Sequence, residues 1–418
     1  MSPLRFIALL ASSAFLSSCA SLKPSPYAKL GAQAPSVQSQ AFKSQMTQEA
    51  KANWVSGNHL TTYVNGQAFF PEMRKAIHSA KHTITFETFA MVSGSETYLV
   101  SMALAKKARQ GVKVHVILDA IGSAKIGKKC TNILLSAGVQ LKFYHPLSVF
   151  SPKKSNNRDH RKILVVDGKI GFTGGAGYAN AWMGNAHTKD NWRDTMYKIT
   201  GPAVADLQDA FSDNWKEITG ETLAGKSYYP ALTRTGNMNV QTNLGAPREQ
   251  GDTLGASYLL AIDSAKESLL IEHAYFAPNK QLRAALKRAV ARGVKVKVIT
   301  NSDIIDSEVL LEATRIYAPE LLDAGIEIYQ YQGAMIHSKL IVVDDHLSII
   351  GSGNFDERTY FINDEINLHV LDKSFASAQR KMFNKDLAKC KRMTKHDARL
   401  QFKNILRRLG AHILMPQL

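Results

Sequence analysis

The stretch DHRKILVVDGKIGFTGG, residues 159–175, decides how this chain is read, because it returns as IHSKLIVVDDHLSIIGSGN at residues 336–354. Both copies hold the pattern His-x-Lys-x-x-x-x-Asp: His160, Lys162 and Asp167, then His337, Lys339 and Asp344, with corresponding residues 177 apart. Seven residues after each Asp comes a small pair, Gly174-Gly175 and Gly351-Ser352. One copy of so short a pattern is weak; two in register with the same tail are a strong signal. Side chains at i and i+2 of a strand share a face, so His160 and Lys162 project together, as do His337 and Lys339. The apolar runs Ile163–Val166 and Leu340–Val343 suit buried strands, and Asp167-Gly168 is a hairpin-turn dipeptide.

Outward from the motifs, the rest of the body repeats as well. Ala76-Ile77 and Ser79-Ala80-Lys81 match Ala261-Ile262 and Ser264-Ala265-Lys266 at an offset of 185. Each match precedes a strand-like run, HTITFETF or ESLLIEHAYF, then a helical stretch, then Gly111-Val112-Lys113-Val114 or Gly293-Val294-Lys295-Val296. Strand, helix, glycine and alternating strand predict βαβ units around a sheet. A repeat this long predicts an α/β fold with two duplicated domains packed as a pseudo-dimer around one shared site, rather than a solenoid.

These motifs resemble the phospholipase D superfamily, most closely its bacterial cardiolipin synthase branch. The resemblance is carried by HRKILVVDGKIGFTGG, by NWRDTMYKITGPAVADLQDAF at 191–211, and by IHSKLIVVDD with GSGNFDERTYFINDEINL at 351–368. It implies phosphoryl transfer through a phosphohistidine. One neutral imidazole attacks phosphorus and the other, protonated, donates to the leaving alcohol. The family pattern implies His160 as nucleophile and His337 as acid/base; the reverse assignment stays open. Lys162 and Lys339 would hold the non-bridging oxygens. The motif acids Asp167 and Asp344 complete the catalytic signature, with a bracing task in the family. Asp194 in the first half and Glu365 in the second are implied as carboxylates that orient the two imidazoles. Asn354, with Ser352 and Gly175 of the small pairs, is implied in substrate binding. Gly177 stands where the first half would carry the matching Asn, and Asn180 or backbone N–H groups are the open substitutes. No cofactor and no metal are expected, and no Cys/His cluster has zinc spacing.

Glu87 and Glu272, at matched positions, either line the cleft or pair in the interior. His115 and His273 read as structural, and Trp215 as core. The formal charge of +17 favours anionic partners. The partners expected are a phospholipid membrane and anionic lipids such as phosphatidylglycerol. Nucleic acid is disfavoured, since basic stretches such as Lys153-Lys154 lack interleaved aromatics. Phosphatidyl transfer as in cardiolipin synthases is the leading reading. Hydrolysis to phosphatidic acid, a nuclease and a lipid-binding scaffold with decayed motifs are the alternatives.

Arg5 followed by the apolar run Phe6–Leu16 has the layout of a secretory signal. Leu16-Ser17-Ser18-Cys19 resembles a bacterial lipoprotein box, which implies cleavage after residue 18, lipidation of Cys19 and, with Ala20-Ser21 next, an outer-membrane address facing the periplasm. An ordinary cleaved signal with an incidental Cys is the alternative. The expected organisation is a signal at 1–18, a flexible tether at 19–50, a first domain at 51–220, a joint at 221–240 and a second domain at 241–418 with a basic C-terminal helix. Ordered structure is expected from near Asn58. Cys130 and Cys390 either form a disulfide or remain two separate thiols.

Overall fold

The computed structural model describes residues 33–148, 150–245 and 252–399. The signal and Cys19 lie outside these, as does the C-terminal stretch from residue 400; the start of that stretch, expected as helix, holds a strand at Cys390–Arg392 and only a short helix at Lys395–Arg399. Among the described residues, each half lays down seven strands in one order. In the first half these are β1 (Val55–Val64), β2 (Thr83–Thr88), β3 (Lys113–Asp119), β4 (Gln140–Tyr144), β5 (Lys162–Val166), β6 (Ile170–Gly174) and β7 (Thr195–Thr200). Their spatial order is β1-β7-β6-β5-β2-β3-β4. The second half has β8 (Met238–Gly245), β9 (Ser268–His273), β10 (Lys295–Asn301), β11 (Glu327–Tyr331), β12 (Lys339–Val343), β13 (Leu347–Gly351) and β14 (Glu365–Leu371), with β15 (Cys390–Arg392) added at its edge. Their order, β8-β14-β13-β12-β9-β10-β11, repeats the first. β1 and β8 pair antiparallel, so the two halves form one continuous sheet.

The local chemistry explains these elements. β2 and β3 are parallel, as are β9 and β10. Their crossover helices, Ser95–Arg109 and Lys280–Ala291, are followed by Gly111 at φ +87° and Gly293 at φ +89°, the left-handed conformation glycine adopts without steric cost. β5 and β6 form the expected hairpin, with Asp167 and Gly168 at φ +51° and +61° and the Lys169 N–H donating to Val166 O. Every residue of β5 and of β12 is buried, as their unbroken apolar runs predict.

The structure corrects the expectation of a flexible tether, part of which is ordered and packed. Ser39 caps a helix at Gln40–Ala50 by accepting from the Phe42 N–H at 3.1 Å. Phe42 and Met46, one turn apart, are fully buried and join the core of the second half with Leu254 and Tyr258. The N-terminal segment thus crosses to the far half before β1 begins. Of the two readings left open for the cysteines, the structure has the separate thiols: both are free, and they sit toward opposite edges of the sheet, Cys130 on the helix before β4 and Cys390 in β15. Among the described residues, no helix is long and apolar enough to cross a membrane.

The helix at 40–50 is part of the second half's core rather than an appendage, so Phe42→Ala should destabilise the chain by about 3–5 kcal/mol. A lowered urea midpoint with an unchanged slope is the expected reading; an unchanged midpoint would return this segment to the tether.

Candidate active site

Each motif is held in place by the opposite half. The His160 N–H donates to Asp364 O at 2.9 Å, and the Asp364 N–H donates to Arg158 O at 2.9 Å. The His337 N–H donates to Arg193 O at 2.6 Å, and the Arg193 N–H donates to Met335 O at 2.8 Å. These short bridges stitch the segment before β5 to the start of β14, and the segment before β12 to the start of β7. The next residue along each stitched strand is a carboxylate, Glu365 or Asp194. His160 Nδ1 lies 2.8 and 2.9 Å from the two Glu365 oxygens, and His337 Nδ1 lies 2.7 Å from Asp194 Oδ2. Both carboxylates contact imidazoles, in crossed partnership: Glu365 of the second half meets His160 of the first, and Asp194 of the first meets His337 of the second. A carboxylate accepting at Nδ1 leaves Nε2 as the reactive nitrogen of each ring.

The two imidazoles share one cavity of about 500 Å³. The two halves contribute different linings: the first half brings Phe89, Ile121, Trp182 and Trp192 beside Arg158, and the second brings the polar Asn354, Asp356, Arg358 and Asn363 beside Tyr275 and Leu310. Phe89 meets His160 edge-on at 5.1 Å, and Trp182 meets His337 edge-on at 5.4 Å. The buried Oδ1 atoms of Asn354 and Asn363 have no hydrogen-bond partner.

Burial alone would raise the Asp194 carboxyl, but the His337 ring and Lys339 outweigh it and bring it down to about 2. Trp182 Nε1 and the Thr195 N–H also donate to it, at 2.8 and 2.7 Å. Glu365 differs: burial pushes it up to about 7, against the pull of Lys162 and the Ser352 hydroxyl. Burial, with Lys162 and Lys339 close by, holds His160 well below the usual imidazole range. His337 is lowered by burial and Lys339, against the raising pull of Asp194. Burial lowers Lys162 to about 7 and Lys339 to about 8, opposed by Glu365 and Asp194 respectively. Two imidazoles that differ in carboxylate partner, with two ammonium groups beside them, form a site for an anion that must both be attacked and lose a protonated group.

The family model described as cardiolipin synthase, PLD-like domain matches residues 73–215 and 258–387. The chain belongs to that family.

Among curated relatives it is 35% identical over 306 residues to a cardiolipin synthase of Geobacillus kaustophilus (strain HTA426), covering 72% of this chain and 61% of that protein. It is 33% identical over 348 residues to cardiolipin synthase A of Pseudomonas putida (strain GB-1), covering 82% of this chain and 72% of that one. The chain thus spans about three fifths of the length of the Geobacillus relative. The fold is that of the crystal structure of phosphatidylserine synthase from Haemophilus influenzae Rd KW20, with a TM-score of 0.64, 12% identity and coverage of 90% of this chain and all of that one.

Several site residues sit elsewhere than the motif alone suggests. Asp167 and Asp344 are at the far ends of β5 and β12, away from the cavity. Asp167 accepts the N–H groups of Lys81, His82 and Thr83 at 2.7–2.9 Å, and Asp344 those of Lys266, Glu267 and Ser268 at 2.8–2.9 Å. Each clamps the start of a neighbouring strand, so their place among the catalytic groups is corrected to bracing. Ser352 and Gly175 also fall outside the cavity lining. The Ser352 hydroxyl donates to Glu365 at 2.6 Å, and a Cβ on Gly175 would stand 2.3 Å from Asp194 Oδ1. Both stand against the carboxylates that face the imidazoles.

Gly177 has a steric cause. A Cβ there would lie 2.8 Å from Ala90 O and 3.2 Å from the Trp182 ring, so the indole fills the place an amide side chain would need. Asn180 is exposed and outside the cavity lining. Glu87 and Glu272 are interior. Glu87 accepts from Asn214 Nδ2 at 2.7 Å and Glu272 accepts from the Ser338 hydroxyl. Trp215 is core, with His115 edge-on to it at 4.7 Å. Sequence reasoning passed over Trp182, Trp192, Arg158, Tyr275 and Asp306. Arg358 lay in view within the quoted GSGNFDERTYF stretch.

Crossed partnership has a direct consequence. Asp194→Asn should lower the pKa of His337 and barely move His160, whereas Glu365→Gln should alter His160 and spare His337. Histidine side-chain NMR titrations separate the two cases, and the opposite pattern would restore pairing within each half.

Proposed function

We propose that this chain transfers a phosphatidyl group between phospholipids, in the manner of a cardiolipin synthase, with phosphatidylglycerol as donor and acceptor. The observation that carries the reading is one cavity holding two imidazoles whose carboxylate partners differ in charge, in a chain whose curated relatives are named cardiolipin synthases.

His160 is the nucleophile in this reading. It is neutral near pH 7, because burial and two flanking lysines oppose its protonation and Glu365 is only partly ionised there. Its Nε2 attacks phosphorus while the bond from phosphorus to the glycerol oxygen breaks. His337, backed by an ionised Asp194, keeps a proton once the anionic phosphate has entered, and gives that proton to the departing glycerol. In the second step the hydroxyl of an incoming phosphatidylglycerol returns a proton to His337, and its oxygen attacks phosphorus. The phosphorus–Nε2 bond then breaks, releasing cardiolipin. Lys162 and Lys339 neutralise the non-bridging oxygens as charge accumulates, and Asn354 lines the same cavity. The aromatic wall favours transfer over hydrolysis by limiting water beside the intermediate. The proposed address is the bacterial cell envelope, with Cys19 as a lipid anchor.

Purified protein mixed with phosphatidylglycerol vesicles should yield cardiolipin and glycerol by mass spectrometry; phosphatidic acid as the main product would mark a hydrolase. Peptide mapping after alkaline quench should find the phosphatidyl group on the peptide containing His160, and His337→Ala should lower kcat by roughly 10²–10⁴-fold. A group trapped on residue 337 reverses the roles.

The pH profile carries its own sign. Lys162, at about 7, and Lys339, at about 8, are needed charged and lose that charge as pH rises. The alkaline limb of log(kcat/KM) should therefore be steeper than a single deprotonation gives. Lys162→Arg, whose guanidinium stays charged, should lower the rate yet make that limb shallower. An unchanged slope would remove Lys162 from the charge that matters.

A further inference from the structure

Among the described residues, the exposed large apolar side chains all belong to the first half, between Tyr98 and Phe150. The described residues of the second half have the same strand order and show none, so the fold itself does not demand them. Phe150 is 93% exposed and Leu147 is 71% exposed. Scattered apolar residues on a surface need no explanation, but confinement to one region of one repeat does.

Charge follows the same boundary. Residues 121–157 contain six lysines and neither Asp nor Glu. Lys125, Lys128, Lys129, Lys142 and Lys154 are exposed. The Lys129 ammonium lies 4.4 Å over the Tyr98 ring, which sets a cation beside an exposed aromatic.

Topology brings this region to the cavity. β2, β3 and β4 run parallel, and the loops at their carboxyl ends supply the wall on that side. Phe89 follows β2 and lines the cavity. Ile121 follows β3, lines the cavity and is 44% exposed, so one apolar side chain belongs to both the cavity and the outer surface. The segment after β4 carries Leu147 and Phe150 and runs into Arg158, also in the cavity wall. Its last turn is held by Arg358 of the second half, which donates to Asn156 O at 2.7 Å and to Asn156 Oδ1 at 3.1 Å.

We infer that this basic, apolar surface, from the loop after β3 through the segment at 145–156, docks on an anionic phospholipid bilayer and seats the cavity mouth against it. The apolar tips enter the boundary of the acyl region and the lysines meet lipid phosphates, the pairing an interfacial segment requires. A tether alone would hold the protein near a membrane without orienting it. The surface gives the cavity a direction. The inference rests on the proposed lipid substrate, and its test separates the two.

Phe150→Trp in the full chain is mixed with vesicles of phosphatidylglycerol and phosphatidylcholine containing brominated acyl chains, and its emission is read against the parent protein. A blue shift with quenching, lost when phosphatidylglycerol is omitted, is expected. Absence of quenching in a protein that turns over phosphatidylglycerol overturns the docking surface. Emission that changes with protein concentration in lipid-free buffer assigns the surface to a second copy and overturns it too. Quenching without lipid turnover supports the surface and instead overturns the phosphatidyl-transfer reading. Independently, the double variant Leu147→Asp with Phe150→Asp should lose tenfold or more activity on vesicles. It should stay within twofold of the parent on short-chain phosphatidylglycerol below its micelle concentration. Equal losses on both substrates refute the surface.

Discussion

The structure depends on a crossed partnership: each imidazole is oriented by a carboxylate that the opposite half delivers. Two short backbone bridges fix it, Asp159 with Asp364 and Arg193 with Ile336. Because the carboxylate is adjacent to the bridged residue, the bridge sets the distance between carboxylate and ring. The β1–β8 pairing that fuses the sheets is therefore part of the site's construction. One half alone would present an imidazole with no partner at Nδ1, its tautomer and tilt unfixed.

Such a site requires buried charge, and the surrounding interior shows how it is met. Arg193 is buried between Asp386, at 2.6 Å, and Glu272, at 3.5 Å. Arg161 is buried under the pull of Asp364, Glu87 and Asp159, and gives an N–H to Ala210 O at 2.7 Å. Both arginines come from the first half of the sequence, yet Arg193 neutralises carboxylates of the second. Ser338 stands in the second motif where Arg161 stands in the first, so Glu272 accepts from a hydroxyl and pairs at 3.5 Å with an arginine that arrives across the joint. Removing one member of such a buried set leaves an uncompensated charge, which costs about 3–5 kcal/mol.

What the sequence revealed follows the range of the interactions concerned. The repeated motif, the Asp167-Gly168 turn and the glycines at 111 and 293 were legible because each is local. The helix at 40–50 was legible in principle: Ser39 as cap, then Phe42, Met46 and Ala50 at intervals of one turn. The Pro- and Gln-rich surroundings hid it, and its burial partners lie more than two hundred residues away. The orienting carboxylates were visible as residues through resemblance, but their exchange between halves was not. Proximity along the chain favours pairing within each half, and only the bridges overrule it. The steric reason for Gly177 was equally hidden, since Trp182 becomes its neighbour only once the loop after β6 has folded back.

The departure from symmetry at Gly177 bears on chemistry as well as packing. A duplicated site begins with two equal sides, but a diester phosphorus carries two unequal arms. Gly177 admits the Trp182 indole, which then donates to Asp194 and leans on His337. That one exchange gives the first-half wall an aromatic surface and gives Asp194 a donor that helps keep it ionised. Across the cavity, Asn354 and Arg358 keep the other wall polar, and Glu365 is supplied by Ser352, Thr359 and Asn363 instead of an indole. The same exchange thus gives the two carboxylates different donors and the two halves different linings. For the proposed reaction, these are the two differences that let equivalent imidazoles divide attack from proton delivery, and let a lipid with one greasy arm and one polar arm enter in a single orientation.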